Sequence, residues 1–139
     1  MNNTILLVED NPDDTELTIM ALSENRIGNE IKHVWDGEEA LQYLDDCSLP
    51  SLPQLVLLDL KLPKISGLEV LKQIRSSPRT NRLPVVVLTS SDEDQDIAAC
   101  YDSGVNSYIR KPVDFDQFSE CVKQLGLYWL VLNIGPPEM

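Results

Sequence analysis

Residues 5–12, Ile5-Leu6-Leu7-Val8-Glu9-Asp10-Asn11-Pro12, pass directly from an apolar run to a pair of acids and then to a helix-starting dipeptide. With Thr4 the run reads as a strand covered on both faces, because a strand with one wet face would alternate polar and apolar side chains. Asn11 offers an oxygen to cap a helix, and Pro12 suits the first helical position, where an N–H has no partner to lose. Leu17, Met20, Ala21 and the boundary residue Glu24 follow at helical intervals, with Gly28 as the expected stop.

The unit recurs along the chain. Ile31 to Trp35 alternates more and reads as a less deeply buried strand, after which Asp36-Gly37 opens a short helix carrying Ala40, Leu41 and Leu44. Asp45 to Pro53 contains two prolines and two serines and reads as a loop. Leu55-Val56-Leu57-Leu58 is again fully apolar and ends on Asp59; Pro63 and Gly67 then lead into a helix with Leu68, Leu71, Ile74 and Arg75. Ser76 to Pro84 is a polar connection, and Pro84-Val85-Val86-Val87-Leu88 is a buried strand closing on Thr89-Ser90-Ser91. Ser91 and Asp94 have the spacing of a capping box for a helix through Ile97, Ala98 and Tyr101, which Gly104 ends. Asn106 to Arg110 is the last strand, Lys111-Pro112 the turn after it, and Asp114 the cap of a helix with Phe115, Phe118, Val122 and Leu125. Strand then helix, five times without internal repeat, predicts an α/β fold: a doubly wound five-stranded parallel sheet with helices on both faces.

Length and composition agree with one such unit. The chain has 139 residues, about one domain, so residues 1–139 are expected to form a single domain with 126–139 as an apolar C-terminal extension and no output domain. Hydrophobic residues make up 42% and charged residues 24%, which argues against disorder. Asp and Glu number 23 against 11 Lys and Arg, a net charge of −12 that repels nucleic acid and anionic lipid. No apolar run approaches the roughly 20 residues that span a bilayer, and Met1-Asn2-Asn3-Thr4 lacks the positive start of a signal peptide. Cys47, Cys100 and Cys121 are odd in number and widely spaced, as reduced thiols of a cytoplasmic protein would be. His33, the single histidine, has no second ligand near it in sequence and reads as structural.

In open parallel sheets the functional crevice lies at the C-terminal ends of the strands. Glu9 and Asp10 follow the first strand, Asp59 the third, Thr89 the fourth and Lys111 the fifth. Three converging carboxylates repel one another, and a hard divalent cation relieves that repulsion. All-oxygen ligands suit Mg²⁺ rather than zinc. A carboxylate beside Mg²⁺ can attack phosphorus to form an acyl phosphate, with the metal and the Lys111 ammonium neutralising the phosphoryl oxygens. The Thr89 hydroxyl is placed to bond the phosphoryl group, whose charge of about −2 is enough to reorder a loop.

These residues carry a resemblance. Residues Ile5 to Pro12, Leu57-Leu58-Asp59-Leu60-Lys61-Leu62-Pro63 with Gly67, Val87-Leu88-Thr89-Ser90, and Tyr108-Ile109-Arg110-Lys111-Pro112 resemble the response regulator receiver domain of two-component signalling, from about Thr4 to Leu125. The resemblance implies a flavodoxin-like (βα)5 fold in which Asp59 accepts a phosphoryl group from a sensor histidine kinase. It implies that Asp10, Asp59 and the Lys61 backbone carbonyl bind Mg²⁺, with Glu9 doing so directly or through water. Thr89 and Tyr108 would be the switch pair, Lys111 the phosphoryl-contacting lysine, and Lys111-Pro112 a bond that is often cis in this family. Glu9 stands where many receivers have Asp, which changes reach rather than charge.

After Leu125 the chain continues Gly126-Leu127-Tyr128-Trp129-Leu130-Val131-Leu132-Asn133-Ile134. If the last helix runs on, Phe118, Val122, Leu125, Trp129 and Leu132 share a face while Tyr128, Leu130 and Val131 project elsewhere. Tyr128, Trp129, Leu130 and Val131 are therefore candidates for a homodimer interface; the other reading is a tail folded over its own domain. This tail and the loop from Asp45 to Pro53 resemble the small stand-alone response regulators that accompany bacteriophytochromes in cyanobacteria. Two other readings compete. An aspartate-nucleophile phosphohydrolase would place a carboxylate two residues past the nucleophile, where this chain has Lys61. A flavodoxin-like cofactor-binding module would need a phosphate-cradling loop after the first strand, where Glu9 to Asp14 is acidic and has no glycine.

Overall fold

The computed structural model describes residues 3–24, 29–112 and 114–137. Its elements alternate as expected: β1 (Ile5–Val8), α1 (Pro12–Glu24), β2 (Ile31–Val34), α2 (Gly37–Asp46), β3 (Leu55–Leu58), α3 (Gly67–Ser76), β4 (Val85–Thr89), α4 (Asp94–Asp102), β5 (Ser107–Arg110) and α5 (Phe115–Gly126). All four strand pairings are parallel and the order is β2-β1-β3-β4-β5. The order reverses between β1 and β3, which makes the ends of those strands the switch point where a crevice opens.

The unbroken apolar runs are unbroken because both faces are covered. Every residue of β1, β3 and β4 is buried, whereas β2, at the sheet edge, buries only Val34. Alternation along the strands divides two cores. Leu6, Val8, Val56, Leu58, Val85 and Val87 pack with Ala40, Leu44, Val70, Leu71, Ile74 and Cys100, so α2, α3 and α4 cover one face. Ile5, Leu7, Leu55, Leu57, Val86 and Leu88 pack with Ala21, Leu22, Phe118, Val122 and Leu125, so α1 and α5 cover the other. Each fully buried Leu or Val contributes about 1.5–3 kcal/mol, which makes these two layers the main source of stability.

Caps set the helix starts. Asn11 Oδ1 accepts from the Asp13 and Asp14 N–H groups at 2.9 and 3.1 Å, Asp36 from Glu39 at 2.9 Å and Asp114 from Asp116 at 2.9 Å. Ser91 does not cap α4, whose N-cap is Glu93 with no side-chain bond. The Ser91 hydroxyl instead donates to Asp96 Oδ2 at 2.6 Å and accepts from the Glu93 N–H, ahead of the helix. Gly104 ends α4 with φ +91°, packed against the Arg75 side chain. Gly28, the expected stop of α1, lies outside the described residues.

Asp45 and Asp46, expected in a loop, form the last turn of α2, and a single tight turn follows at Leu49–Ser51. An acidic helix end opposes the helix dipole. The Arg79 guanidinium relieves this by donating to the carbonyls of Leu44, at 3.3 Å, and of Cys47. The Lys111–Pro112 bond is trans, since no peptide among the described residues is cis. Trans is the isomer that an X–Pro linkage itself prefers, by about 0.5–1 kcal/mol.

The tail also departs from its expected phase. After α5 the chain winds into wider π-type turns over Leu127–Leu132, closed by the Asn133 N–H on the Tyr128 carbonyl. The slower rotation brings Trp129 and Leu130 against the α1/α5 core and leaves Leu132 exposed, with Tyr128 and Val131. Trp129 and Leu130 are both partly buried against this core, so each presents only part of its side chain to solvent. Beyond it Pro136 and Pro137 line, with Leu49, Leu52 and Leu83, a cavity of about 690 Å³ beside the loops that enter β3 and β4.

Candidate functional site

The backbone ladder fixes the site. Val8 is level with Leu58 and with Val34. The ladder continues one step further, as the Asp59 N–H donates to the Val8 carbonyl at 3.1 Å and the Glu9 N–H to the Val34 carbonyl at 3.2 Å. Glu9 and Asp59 therefore leave the sheet side by side. Gly67 lets the next loop close over them: its N–H donates to the Leu60 carbonyl at 2.9 Å, and a Cβ there would stand 2.1 Å from the Asp59 carbonyl oxygen.

Glu9 and Asp59 are buried and Asp10 is exposed, and ligand oxygens of the three lie within 4.8 Å of one another. These are hard oxygen donors with one side open to solvent, which fits a hexacoordinate cation that keeps several waters. Lys111 reaches in from the end of β5. Its Nζ donates to Glu9 Oε1 at 2.5 Å, Asp14 Oδ2 at 2.9 Å and Asp59 Oδ2 at 3.2 Å. Its backbone N–H donates to the Thr89 carbonyl at 2.6 Å, joining it to the end of β4.

The crevice holds more carboxylates than cations, and the proton affinities of Glu9 and Lys111 reflect it. Burial pushes the Glu9 carboxyl up; the Lys111 hydrogen bond opposes this and the Asp59 charge adds to it, leaving Glu9 at about 7. Burial pulls the Lys111 ammonium down, but the bond to Glu9, the charge of Asp59 and the bond to Asp14 outweigh it and hold the pKa above the ordinary lysine value. One ammonium, three carboxylates at hydrogen-bond distance and a half-open face make a site ready for a second, stronger cation.

Thr89 is fully buried at the end of β4, its Oγ1 accepting from the Ser91 N–H at 3.4 Å. Tyr108 pairs with Val87 on the next strand, so Thr89 and Tyr108 project to the same side of the sheet. The Tyr108 ring is half-buried against the α2/α3/α4 core, and its hydroxyl donates to the Ser91 carbonyl at 2.8 Å. Lys61 is exposed, and its N–H donates to Asp59 Oδ1 at 3.3 Å. His33 Nε2 lies 2.8 Å from the Glu9 carbonyl oxygen, which can only accept, so this nitrogen carries the proton and helps to set the β1–α1 turn. The structure thus joins Glu9, Asp10, Asp59 and Lys111 directly and sets Thr89 and Tyr108 on the neighbouring strands.

Asp14 escaped the sequence reading because it stands inside a helix rather than at a strand end. The only signal for it is its place four residues after Asp10, one turn on, at the start of α1.

Fold and crevice together define a response regulator receiver domain. Residues 5–123 match that family and the chain belongs to it; receiver domains are signalling phosphoacceptors. Within the family the chain is 43% identical over 134 residues to the probable methanogenesis regulatory protein FilR2 of Methanothrix harundinacea, covering 95% of this chain and 86% of that protein. It is 37% identical over 129 residues to response regulator Rcp1 of Synechocystis, covering 91% and 88%, and the Mn²⁺-bound form of Rcp1 superposes with a TM-score of 0.89. The phosphorylated cyanobacterial phytochrome response regulator RcpA superposes with a TM-score of 0.91 at 40% identity, over 99% of this chain and 100% of that one. The phosphohydrolase and cofactor-module readings find no support in these matches.

Proposed function

We propose that the chain accepts a phosphoryl group on Asp59 from a sensor histidine kinase of the phytochrome type, with Mg²⁺ as cofactor, and passes the signal on through its own surface. The observation that carries this reading is the placement of Glu9, Asp10 and Asp59 in one open-sided cluster with the Lys111 ammonium already on two of them. It is supported by the likeness to RcpA and Rcp1, which are described as a phosphorylated and an Mn²⁺-bound response regulator.

Asp10, Asp59, the Lys61 carbonyl and Glu9, the last directly or through water, would hold the metal. Its chemistry is to screen the carboxylates and the incoming phosphoryl oxygens. An Asp59 carboxylate oxygen attacks phosphorus, the bond from phosphorus to the donor breaks, and the donor leaves with that electron pair. Lys111 moves onto a phosphoryl oxygen and neutralises charge that grows in transfer. The Thr89 hydroxyl is drawn to the phosphoryl group and leaves the Ser91 N–H, while Tyr108, held to the Ser91 carbonyl, follows the same loop inward. Phosphotransfer and slow loss of the group are the only reactions of the chain, and the kinase partner puts it in the cytoplasm.

Output is proposed to run through a homodimer built on the tail, where Leu127, Tyr128, Val131, Leu132 and Ile134 are all more than half exposed. Among the described residues no helix is long and apolar enough to cross a membrane. The charge of −12 keeps nucleic acid off the list of partners.

Incubation with a small acyl-phosphate donor and Mg²⁺ is expected to add one phosphoryl group by intact mass, and a chelator in its place to prevent it; addition without a divalent cation contradicts the metal assignment. Sedimentation of the full chain against Tyr128→Ser/Val131→Ser is expected to show a dimer become a monomer. A parent monomer at all concentrations contradicts the interface.

A further inference from the structure

We propose that Asp14 holds Lys111 when a divalent cation takes Glu9 and Asp59 from it, and so sets how tightly the cation binds. The inference rests on the metal reading above. The Lys111 ammonium has three protons, and each finds one carboxylate: Glu9, Asp14 and Asp59. Two of these acceptors, Glu9 and Asp59, belong to the oxygen cluster that suits a metal; Asp14 does not. A bound cation therefore competes with the ammonium for the same oxygens. The lysine side chain is only 8% exposed and cannot escape into water without unpacking. With nowhere else to go, it would face the dication at short range and weaken binding.

Asp14 supplies the alternative. It already lies 2.9 Å from Nζ, and its side chain is 30% exposed, so it keeps its contact with water while it takes the lysine. Its backbone is fixed from both sides: its N–H donates to the Asn11 Oδ1 cap at 3.1 Å, and its carbonyl accepts from the Thr18 hydroxyl at 2.7 Å. It lies in the first turn of α1, where the helix dipole favours a negative charge. Asp14 is thus a positioning residue that acts through Lys111. Asp13, one residue earlier in the same turn and bonded to the same cap, is exposed and is the natural control.

The test is a double-mutant cycle read by calorimetric titration of the full chain with MgCl₂. Asp14→Asn is expected to weaken Mg²⁺ binding about tenfold while Lys111 is present, a coupling of the size seen for groups in one network. In the Lys111→Met background the same change is expected to cost at most about threefold, the screened effect of one lost charge. Asp13→Asn should stay within about threefold in both backgrounds. Asp14→Glu, which keeps the charge, should recover most of the loss. If Asp14→Asn does not fold by circular dichroism, Asp14→Ser replaces it in the same cycle. An excess loss in the presence of Lys111, beyond error, supports the inference. Equal losses in the two backgrounds overturn it and leave the metal reading intact, whereas a parent chain that binds no Mg²⁺ overturns both.

Discussion

Replacing Lys111 by Met keeps the volume of the side chain and removes the cation of the crevice. The loss is worked from three contacts, to Glu9 at 2.5 Å, Asp14 at 2.9 Å and Asp59 at 3.2 Å. Asp14 is solvated and counts for little. Glu9 and Asp59 have side chains only 3% and 10% exposed, and breaking a buried pair by removing one partner costs about 3–5 kcal/mol. The face open at Asp10 puts the expected loss near the low end, about 3 kcal/mol at pH 8 without divalent cations, or about 10 °C in Tm. The loss must depend on pH, because Glu9 in the parent titrates near 7 rather than 4.5. A raised pKa means that the folded metal-free chain binds this proton more tightly than the unfolded chain. That contribution to stability is complete below about 4.5 and disappears as pH rises through about 7. At pH 5.5 Glu9 is already neutral in the parent, so only the Asp59 pair is left to lose and Lys111→Met is expected to cost clearly less there than at pH 8. Urea unfolding of parent and variant at pH 8 and 5.5, with and without MgCl₂, measures all of this. Mg²⁺ should restore much of the loss at pH 8. Equal losses at both pH values, or no loss at pH 8, would refute the reasoning.

Two further substitutions test how the crevice is framed. Gly67→Ala drives a methyl group to 2.1 Å from the Asp59 carbonyl and 2.7 Å from Leu60 Cα, so urea unfolding should show a loss of about 3 kcal/mol and calorimetry a weaker Mg²⁺ site; near-parental stability contradicts the close approach. Arg75 donates to the carbonyls of Gly104, Asn81 and Leu83 and to Asn106 Oδ1, tying the end of α3 to the loops that enter β4 and β5. Arg75→Met should cost about 2 kcal/mol by the same assay, since the Leu83 carbonyl loses its donor in a half-buried place, and a loss under about 0.5 kcal/mol contradicts that role.

What the sequence reveals follows from where each cause lies. Strands covered on both faces carry their burial in consecutive residues, so Ile5–Val8, Leu55–Leu58 and Val85–Leu88 are legible without a partner. The acids and the lysine are legible for a related reason: Glu9 and Asp59 are the first polar residues after such runs, Asp10 and Lys111 stand just past the ends of β1 and β5, and parallel topology puts those ends together. Asp14 is not, because its link to Lys111 crosses 97 residues and starts from a helix turn that looks like ordinary dipole chemistry. The end of α2 is hidden in the same way, as Arg79, far along the chain, satisfies its carbonyls. The tail misleads through local geometry: a heptad-like reading assumes ordinary helical rotation, and the π-type turns at Leu127–Leu132 exchange the roles of Leu130 and Leu132.

The central claim is that Asp59 receives the phosphoryl group. Treatment with Mg²⁺ and an acyl-phosphate donor, followed by borohydride reduction and peptide mass spectrometry, marks the acylated carboxyl where it stands. The expected result is reduction confined to Asp59, converted to homoserine, and no phosphoryl adduct in Asp59→Asn. Reduction at another carboxylate, or an undiminished adduct in Asp59→Asn, would contradict the account.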